Sequence, residues 1–323
     1  MMCLPGQVIT DLETHYPYSR YLKETFGETT YKVPVASGLS CPTRDGALSK
    51  DGCAFCDLRG SASYFGKQGR GRNIAEQLRE RIPGIRERFG ARKFLAYFQS
   101  YTNTYAEPAR LEELYLEALG VEDISGLCIS TRPDCLPDPV LELLDRISQD
   151  HYISLELGIQ SFNDQTLDWL KRGHNERCSI ETLERLAVRA PRVDVCAHLI
   201  LGAPTDVPGT ARDAALKLNA GRVRGAKLHQ LMILKSSELG ERFATDPFPT
   251  LTLDQYSERV LEFLEYLSPG IYLERLCATA SHKDECLGPD WSCDRWTPHN
   301  RIREFLERRQ CVQGSKVSDT VRL

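Results

Sequence analysis

The chain has 323 residues, of which 41% are hydrophobic and 27% are charged, and its formal net charge is -4. This composition is typical of a globular protein and excludes a disordered chain, and the small negative charge gives no overall preference for a polyanionic partner. The first residues lack the basic and then apolar pattern of a secretion signal, and no apolar run approaches the length of a membrane span, so we expect a cytoplasmic protein with no membrane partner.

Short apolar runs that favour strands alternate along the chain with longer amphipathic segments. Most of the runs are nearly continuous in apolar residues, which is typical of parallel strands covered on both faces. In chain order the runs begin at Lys32 (KVPVA), Phe94 (FLAYFQ), Gly126 (GLCIS), Ile153 (ISLELGIQ), Val193 (VDVCAHLILG), Ala226 (AKLHQLMIL) and Ile271 (IYLERL).

The segments between these runs have the periodicity of amphipathic helices. They cover about residues 74–89, 110–119, 139–148, 180–188 and 210–219, and a last helix, DQYSERVLEFLEYL, is predicted to begin at an N-cap of Thr252 or Asp254. Six or seven consecutive strand–helix units predict an α/β fold that forms a full or partial barrel. We expect one domain, with a lead-in at residues 1–31, a core at 32–279 and an extension at 280–323 packed on the barrel.

Three cysteines, Cys41, Cys53 and Cys56, follow the first predicted strand in the stretch CPTRDGALSKDGCAFC. Sites in barrels lie at the carboxyl ends of the strands, so these thiols are expected at the barrel mouth. Structural zinc takes four protein ligands and no fourth Cys or His is nearby, whereas a cubane held by three thiolates leaves one iron open. The loop therefore favours an iron–sulfur cluster, and a zinc site with a distant fourth ligand or three unrelated thiols remain alternatives.

Further segments occur in an order that is known from one enzyme family. They are YKVPVASGLSCPTRDG, YFQSYTNTY, STRPDCLPD, LELGIQSFND followed by WLKRGH, CAHLILGAP, GPDWSCD and RRQCVQG. Together, over about residues 31–314, they resemble the radical S-adenosylmethionine (SAM) enzymes, and in particular the YhcC-like branch related to the radical SAM domain of the Elongator catalytic subunit.

This resemblance implies a partial (β/α)6-type TIM barrel with a C-terminal extension. It also implies a 4Fe–4S cluster held by Cys41, Cys53 and Cys56, with SAM bound to the fourth iron. The expected reaction is reductive cleavage of SAM to a 5′-deoxyadenosyl radical that acts on an unidentified substrate, with a reductant such as flavodoxin or ferredoxin.

The same resemblance implies that polar side chains at the strand ends contact SAM, with Phe55 close to its adenine. The polar set comprises Gln99, Ser100, Tyr101, Thr102, Asn103, Ser130, Arg132, Asp134, Gln160, Arg172 and His198. Gln160 and Arg172 are twelve residues apart, as are the SAM-contacting Gln and Arg of related enzymes, and a guanidinium is suited to the SAM carboxylate. Residues 99–103 depart from the Gly-rich, Glu-containing segment that is usual in the family.

Three residues are candidates for substrate contact. Glu156 lies on the same face of the fourth strand as Gln160 and is predicted to point into the barrel. A buried carboxylate needs a partner, so we expect it to contact the substrate or to neutralise an interior arginine. His229, in the sixth predicted strand, and Lys235, directly after it, are the other two candidates.

Other functions remain open. SAM cleavage of a different kind would transfer a 3-amino-3-carboxypropyl group, a tRNA-modifying enzyme would share the cluster, and a non-enzymatic metal- or cluster-binding protein would cleave no SAM. Residues 67–93 carry nine Lys and Arg against three Glu, which would suit RNA, although a solvated helix face also explains such a run.

Two features are expected to carry no site of their own. The glycines of GKQGRGR, Gly66, Gly69 and Gly71, lack the Lys-Ser/Thr ending of a phosphate loop. The late cysteines have long and irregular spacings, so we expect buried or incidental thiols rather than an auxiliary cluster, with a hydrogen-atom donor or a substrate thiol as a further alternative. These cysteines are Cys277, Cys286, Cys293 and Cys311.

Overall fold

A computed structural model describes residues 13–57, 72–280, 283–294 and 296–317. Its centre is a sheet of seven parallel strands that curls into a half-barrel, with helices on the outside. Among the described residues, no helix is both long enough and apolar enough to cross a bilayer. The half-barrel of parallel strands and outer helices confirms the predicted α/β fold class. The predicted boundary at residue 279 stays a prediction.

The strands are numbered in chain order. They are β1 (Thr30–Val35), β2 (Lys93–Phe98), β3 (Ile124–Thr131), β4 (Tyr152–Gln160), β5 (Asp194–Leu201), β6 (Gly225–Gln230), β7 (Ile233–Leu234), β8 (Tyr272–Arg275) and β9 (Cys286–Gly288). The half-barrel has the order β1-β2-β3-β4-β5-β6-β8, so each strand is added beside the one before it. Parallel neighbours of this kind place all their carboxyl ends at one rim.

The helices of the described residues are also numbered in chain order. They are α1 (Tyr18–Phe26), α2 (Ile74–Phe89), α3 (Pro108–Leu119), α4 (Asp138–Ile147), α5 (Asp164–Trp169), α6 (Glu176–Arg189), α7 (Thr210–Ala220), α8 (Glu238–Thr245), α9 (Leu253–Tyr266) and α10 (Thr297–Arg308). Helix α9 begins with a capping box in which Thr252 and Gln255 satisfy each other's backbone N–H groups, so Thr252 rather than Asp254 is the N-cap.

The main hydrophobic core lies between the outer face of the sheet and the helices. Side chains alternate along each strand, so in β4 Leu155 and Leu157 join this outer core while Glu156 points into the barrel. A smaller apolar cluster lies on the inner face, where Tyr21 of α1 stacks on Tyr272 of β8 with ring centroids 4.3 Å apart. Helix α1 thus packs against the inner wall of the half-barrel.

The sixth predicted strand differs from the structure. The run AKLHQLMIL was predicted as one strand, but the chain leaves the barrel after Gln230, and β7 forms a separate antiparallel pair with β9. The long apolar run hid this break because both pieces are buried, one against the barrel core and the other in a separate cluster. The GKQGRGR stretch lies outside the described residues.

Candidate functional site

A cavity of about 430 Å³ opens at the carboxyl ends of the strands. All three loop cysteines line it, together with residues from the ends of β2, β3 and β4 and from the inner faces of β5 and β6. The predicted residues that line it are Cys41, Cys53, Phe55, Cys56, Gln99, Tyr101, Thr102, Ser130, Arg132, Glu156, Gln160, Arg172, His198 and His229. The strand order thus brings together side chains that are up to 188 positions apart (229 minus 41) in the sequence.

The cysteine loop is held by its own backbone and by Thr43. The hydroxyl of Thr43 lies 3.1 Å from the Cys41 sulfur and 3.9 Å from the Cys53 sulfur, and the Cys56 N–H donates to the Cys53 carbonyl. Within the described residues, no three His, Cys, Asp or Glu side chains converge as ligands of one metal ion. A cubane does not require such convergence, because each thiolate binds a different iron, so the three-thiol set fits a cluster better than a single zinc ion.

Two buried arginines stand next to Cys53. The Nη1 atoms of Arg172 and Arg132 lie 3.0 and 3.6 Å from the Cys53 sulfur. Burial opposes ionisation of this thiol, but the two guanidinium charges and their hydrogen bonds lower the pKa of Cys53 below its usual value. Positive charge at a thiol favours the thiolate, which is the form that binds iron.

Arg172 has binding capacity that the protein leaves unused. Its Nη2 donates to the Gly158 carbonyl at 2.7 Å, but its Nε is buried and has no hydrogen-bond partner among the described residues. No carboxylate within the described part of the chain forms an ion pair with it. A buried cation with an unpaired donor at a cavity wall is suited to an anionic ligand such as a carboxylate.

Gln160 and Arg172, twelve residues apart in the sequence, both approach Gly158. A β-bulge ends β4, and Gln160 takes a left-handed backbone conformation with φ of 69°. Gly158 makes room for both, because a Cβ at this position would lie 2.9 Å from Gln160 Nε2 and 3.3 Å from Arg172 Nη2. Such strained backbone is common at functional sites, where the surrounding structure holds it in place.

The segment after β2 places some of its polar groups at the cavity. Gln99, Tyr101 and Thr102 line it, and Tyr101 has a φ of 65°. Two buried hydroxyls, those of Ser100 and Thr102, have no hydrogen-bond partner in the described structure. Unpartnered buried hydroxyls cost free energy unless a ligand satisfies them, so this segment fits a polar cofactor.

Two residues predicted to contact SAM have other roles in the structure. The side-chain amide of Asn103 donates to the carbonyls of Phe98, Ser100 and Ser130, and its oxygen accepts from a serine hydroxyl, so it fixes the loop instead of facing the cavity. Asp134 binds Arg132 through two parallel hydrogen bonds of 2.9 and 2.8 Å. It therefore orients the guanidinium that reaches Cys53.

Glu156 is neutralised by lysines and not by the expected arginine. Its carboxylate contacts Lys32 and lies 2.9 Å from the Lys227 ammonium, and both lysines also contact Glu274. Tyr97 donates to Glu156 at 2.6 Å. Burial opposes ionisation of Glu156, but the Lys227 and Lys32 charges hold its pKa well below the usual value. We call Lys32, Glu156, Lys227 and Glu274 the inner-wall quartet; it is formally neutral.

The remaining candidates divide between the cavity and the surface. His198 lines the cavity with Nε2 2.8 Å from Glu156, and burial, together with the nearby Lys227 charge, lowers its pKa. His229 also lines the cavity, and burial and the Arg275 charge lower its pKa to about 3. Lys235 is exposed, so the structure does not support its prediction as a substrate contact. It lies just after β7, outside the half-barrel.

Sequence reasoning missed several charged and polar side chains of the site. Lys32 and Lys227 are single charges within apolar strands, and Thr43 lies between the first two cysteines. A charge in a strand that is buried on both faces must have a buried partner, and this rule could have paired each lysine with a glutamate. Arg275, which also lines the cavity, follows Glu274 at the end of β8.

The late cysteines do not gather at one place. Cys311 contacts the Thr14 carbonyl, and Cys277 packs against the main core. The Cys286 sulfur lies 4.0 Å from the carbonyl oxygens of both Gly288 and Pro289. Cys277 and Cys311 therefore have the separate positions expected of structural thiols.

The basic segment before β2 is partly occupied by internal contacts. Residues 58–71, which include Lys67 and Arg70, lie outside the described part of the chain. In α2, Arg86 pairs with Asp123 and Arg81 donates to the Pro34 carbonyl. These contacts agree with a solvated helix face more than with a surface for RNA.

Comparisons with known proteins agree with this geometry. The family profile described as the Radical SAM superfamily matches residues 49–216, and the Radical_SAM C-terminal domain matches residues 223–308. Protein YhcC of Escherichia coli K12 is 34% identical over 295 residues, which are 91% of this chain and 92% of YhcC. Protein YtqA of Bacillus subtilis 168 is 31% identical over 300 residues, which are 93% of this chain and 92% of YtqA.

A solved structure with a similar fold is that of Elp3 from Methanocaldococcus infernus with an N-terminal deletion. Its TM-score is 0.64 at 16% identity, and the match covers 88% of this chain and 64% of the Elp3 chain. At this identity the similarity shows the fold alone. The sequence relatives and the family profiles confirm the resemblance drawn from the motifs.

Proposed function

Because the chain belongs to the radical SAM superfamily, whose members use a 4Fe–4S cluster and SAM, we propose that Cys41, Cys53 and Cys56 hold this cluster and that the protein cleaves SAM reductively. The bound cluster and SAM would supply a 5′-deoxyadenosyl radical able to abstract hydrogen from an unreactive C–H bond. The observation that carries the proposal is the cavity that joins three thiols to buried, unpartnered polar groups.

The protein's own residues would bind and orient SAM from three sides. Arg172, with its free Nε, is suited to the SAM carboxylate, and Gln160 beside it adds an amide. The hydroxyl of Thr102 is suited to a further polar group of SAM. Phe55 lies under the Arg172 guanidinium, 5.8 Å from ring centroid to Cζ, and offers an apolar face to the adenine.

The inner wall would exclude water and position the substrate. Glu156 and Lys227 are already paired, so they offer the substrate a fixed polar surface with little net charge. His229 is neutral at physiological pH because burial and Arg275 lower its pKa to about 3. Its Nδ1–H donates to the Gln230 carbonyl at 2.5 Å, so the Nε2 of the neutral ring can accept a hydrogen bond without adding charge.

Anaerobic reconstitution tests the cluster. We expect about four irons and four sulfides per chain, the content of one cubane. Alanine at Cys41, Cys53 or Cys56 should abolish the cluster, whereas Cys311→Ser, a matched control away from the cavity, should retain it. Full iron content in any one of the three alanine variants would contradict the assignment of that thiol.

SAM cleavage tests the reaction. SAM should change the electron paramagnetic resonance spectrum of the reduced cluster, and dithionite should then yield 5′-deoxyadenosine. If SAM did not change the spectrum of the reduced cluster, the cluster would have only a structural or electron-transfer role. Release of 5′-methylthioadenosine instead would keep the cofactor assignment and change the reaction to aminocarboxypropyl transfer.

A further inference from the structure

Arg275 lies at the carboxyl end of β8, the last strand of the half-barrel, and lines the cavity beside His229 and Gln230 of β6. Three steps between neighbouring strands separate β8 from β4, which is about 14 Å measured along the sheet. Gln160, at the end of β4, and the nearby Arg172 are the residues that we assign to the SAM carboxylate. Arg275 therefore belongs to a different part of the cavity wall.

The protein occupies the Arg275 guanidinium only in part. The side chain is half-buried, and its Nε donates to the Leu228 carbonyl at 3.3 Å. No carboxylate in the described part of the chain forms an ion pair with it, because the neighbouring Glu274 is engaged by the Lys32 and Lys227 ammonium groups. Its two Nη groups are therefore available to a ligand.

The other charged groups on this part of the wall leave the Arg275 charge uncompensated by direct contact. The inner-wall quartet is formally neutral. His229 is neutral because burial and the Arg275 charge lower its pKa to about 3. The Glu285 carboxylate, which also lines the cavity, accepts from the Ser236 N–H at 3.2 Å and forms no ion pair among the described residues.

Arg275 also borders a second cavity, of about 860 Å³, between the two edge strands of the half-barrel, β1 and β8. Among the described residues that line it, the carboxylates outside the quartet form ion pairs of their own: Glu13 with Arg20, Glu28 with Arg92 and Glu307 with Arg303. Neither cavity therefore offers Arg275 an acidic partner from the described part of the protein.

We propose that Arg275 binds a carboxylate or phosphate group of the substrate, and that the substrate of this protein is therefore an anionic molecule. This inference rests on the proposed function, because it places the substrate in the cavity where SAM would be cleaved. A guanidinium holds its N–H groups in a plane that matches two oxygens of a carboxylate or a phosphate. Since Nε is bound to the Leu228 carbonyl, the two Nη groups form the edge that receives the anion.

Binding of small anions tests the site. Succinate and inorganic phosphate are the probes, and succinamide is the neutral control for succinate. Each is titrated calorimetrically into cluster-loaded protein saturated with SAM, so that the Arg172 side is already occupied. We expect at least one anion to bind, and Arg275→Gln to weaken its binding by about ten- to a hundredfold, as expected for a lost charge-assisted hydrogen bond. Arg222→Gln, at an exposed arginine outside the residues that line the cavity, should bind the anion as the unmodified protein does.

Labelling with phenylglyoxal, a reagent for accessible arginines, is a second readout that needs no variant. The bound anion should slow the labelling of Arg275 several-fold and leave that of Arg222 unchanged, as measured by mass spectrometry of the peptides. If Arg275→Gln does not fold, this labelling of the unmodified protein decides. Protection by succinate alone identifies a carboxylate site, and protection by phosphate alone a phosphate site.

Three results would overturn the site: no protection of Arg275 by either anion, equal protection by succinamide, or undiminished anion binding in a folded Arg275→Gln variant. Labelling is measured with and without SAM, and it does not require SAM cleavage. A protein that binds the anion at Arg275 but yields no 5′-deoxyadenosine would therefore contradict the proposed function alone. Cleavage of SAM without protection of Arg275 would reject the anion site alone.

Discussion

Glu156→Gln removes one charge from the inner-wall quartet and keeps the size of the side chain. The Glu156 side chain is fully buried and contacts Lys32, Lys227, Tyr97 and His198. In the variant the two lysines would share the single carboxylate of Glu274. A buried ammonium would then lack full compensation.

The expected loss of stability depends on the ion pairs that remain in the quartet. Breaking a buried ion pair by removing one partner costs about 3 to 5 kcal/mol. Because Glu274 still contacts both lysines, we expect the lower end, a decrease of about 3 kcal/mol in the free energy of unfolding. This is a large fraction of the total stability of a typical domain.

The pH dependence has a definite sign. The folded-state pKa of Glu156 lies well below its usual value of 4.5, so its ionised form stabilises the fold fully above that value. The stabilisation is lost as the pH falls toward the folded-state pKa. The difference between wild type and variant should therefore be constant from about pH 5 to 8 and should shrink below it.

Urea unfolding, followed by circular dichroism, measures the effect. Glu112→Gln is a matched control, because Glu112 forms an exposed ion pair with Arg146 at 2.7 Å and should change stability by no more than about 1 kcal/mol. If Glu156→Gln cost no more than this control, the quartet would not stabilise the fold as argued. Adding Lys227→Met to Glu156→Gln should recover part of the loss, since it removes the uncompensated ammonium.

Three further changes test the division of roles at the cavity. Asn103→Ala should lower the free energy of unfolding by about 1 to 3 kcal/mol, because the Phe98 and Ser100 carbonyls lose the side-chain donor, while the Ser130 carbonyl keeps the backbone N–H of residue 103. A loss of SAM affinity without this effect would contradict its structural role. Arg172→Ala should keep the iron content and weaken SAM binding by about 1.5 to 3 kcal/mol, and equal affinity by titration calorimetry would reject the assignment. Gly158→Ala should displace the Gln160 amide and also weaken SAM binding. If SAM changed the cluster spectrum of this variant as it changes that of the wild type, the close approach at Gly158 would be unimportant.

The sequence predicted most of the half-barrel because its strands are buried on both faces and therefore consist of nearly continuous apolar runs. The same property concealed the end of β6, since β7 continues the apolar pattern while it pairs with a distant strand. The antiparallel partner, β9, has only three residues, Cys286–Gly288, and so short a strand has no periodicity to recognise. Local pattern thus determines which segments are strands, but pairing decides where they lie.

Residues of the candidate site could be predicted from the sequence where the position of a residue along a strand determines the direction of its side chain. Glu156 and Gln160 differ by four positions on one strand, and both do line the cavity. Asn103 lies in a loop and Asp134 in a short 3-10 turn, where the direction of a side chain depends on nearby carbonyls and charges that no sequence period encodes. Their hydrogen bonds to the loop carbonyls and to Arg132 therefore could not be predicted from the sequence.

The buried charges of the protein serve two purposes, which depend on whether each charged residue lies within a strand or in a loop. Lys32, Glu156 and Lys227 lie within strands, where they pair with one another and with Glu274 in a formally neutral set. Arg172 lies in a loop beyond the end of β4, next to a thiol and without a carboxylate partner among the described residues. Because the quartet cancels its own charge, the positive potential beside the cysteine loop is set by arginines such as this one. That potential lies where an anionic cluster and a SAM carboxylate would gain most from it.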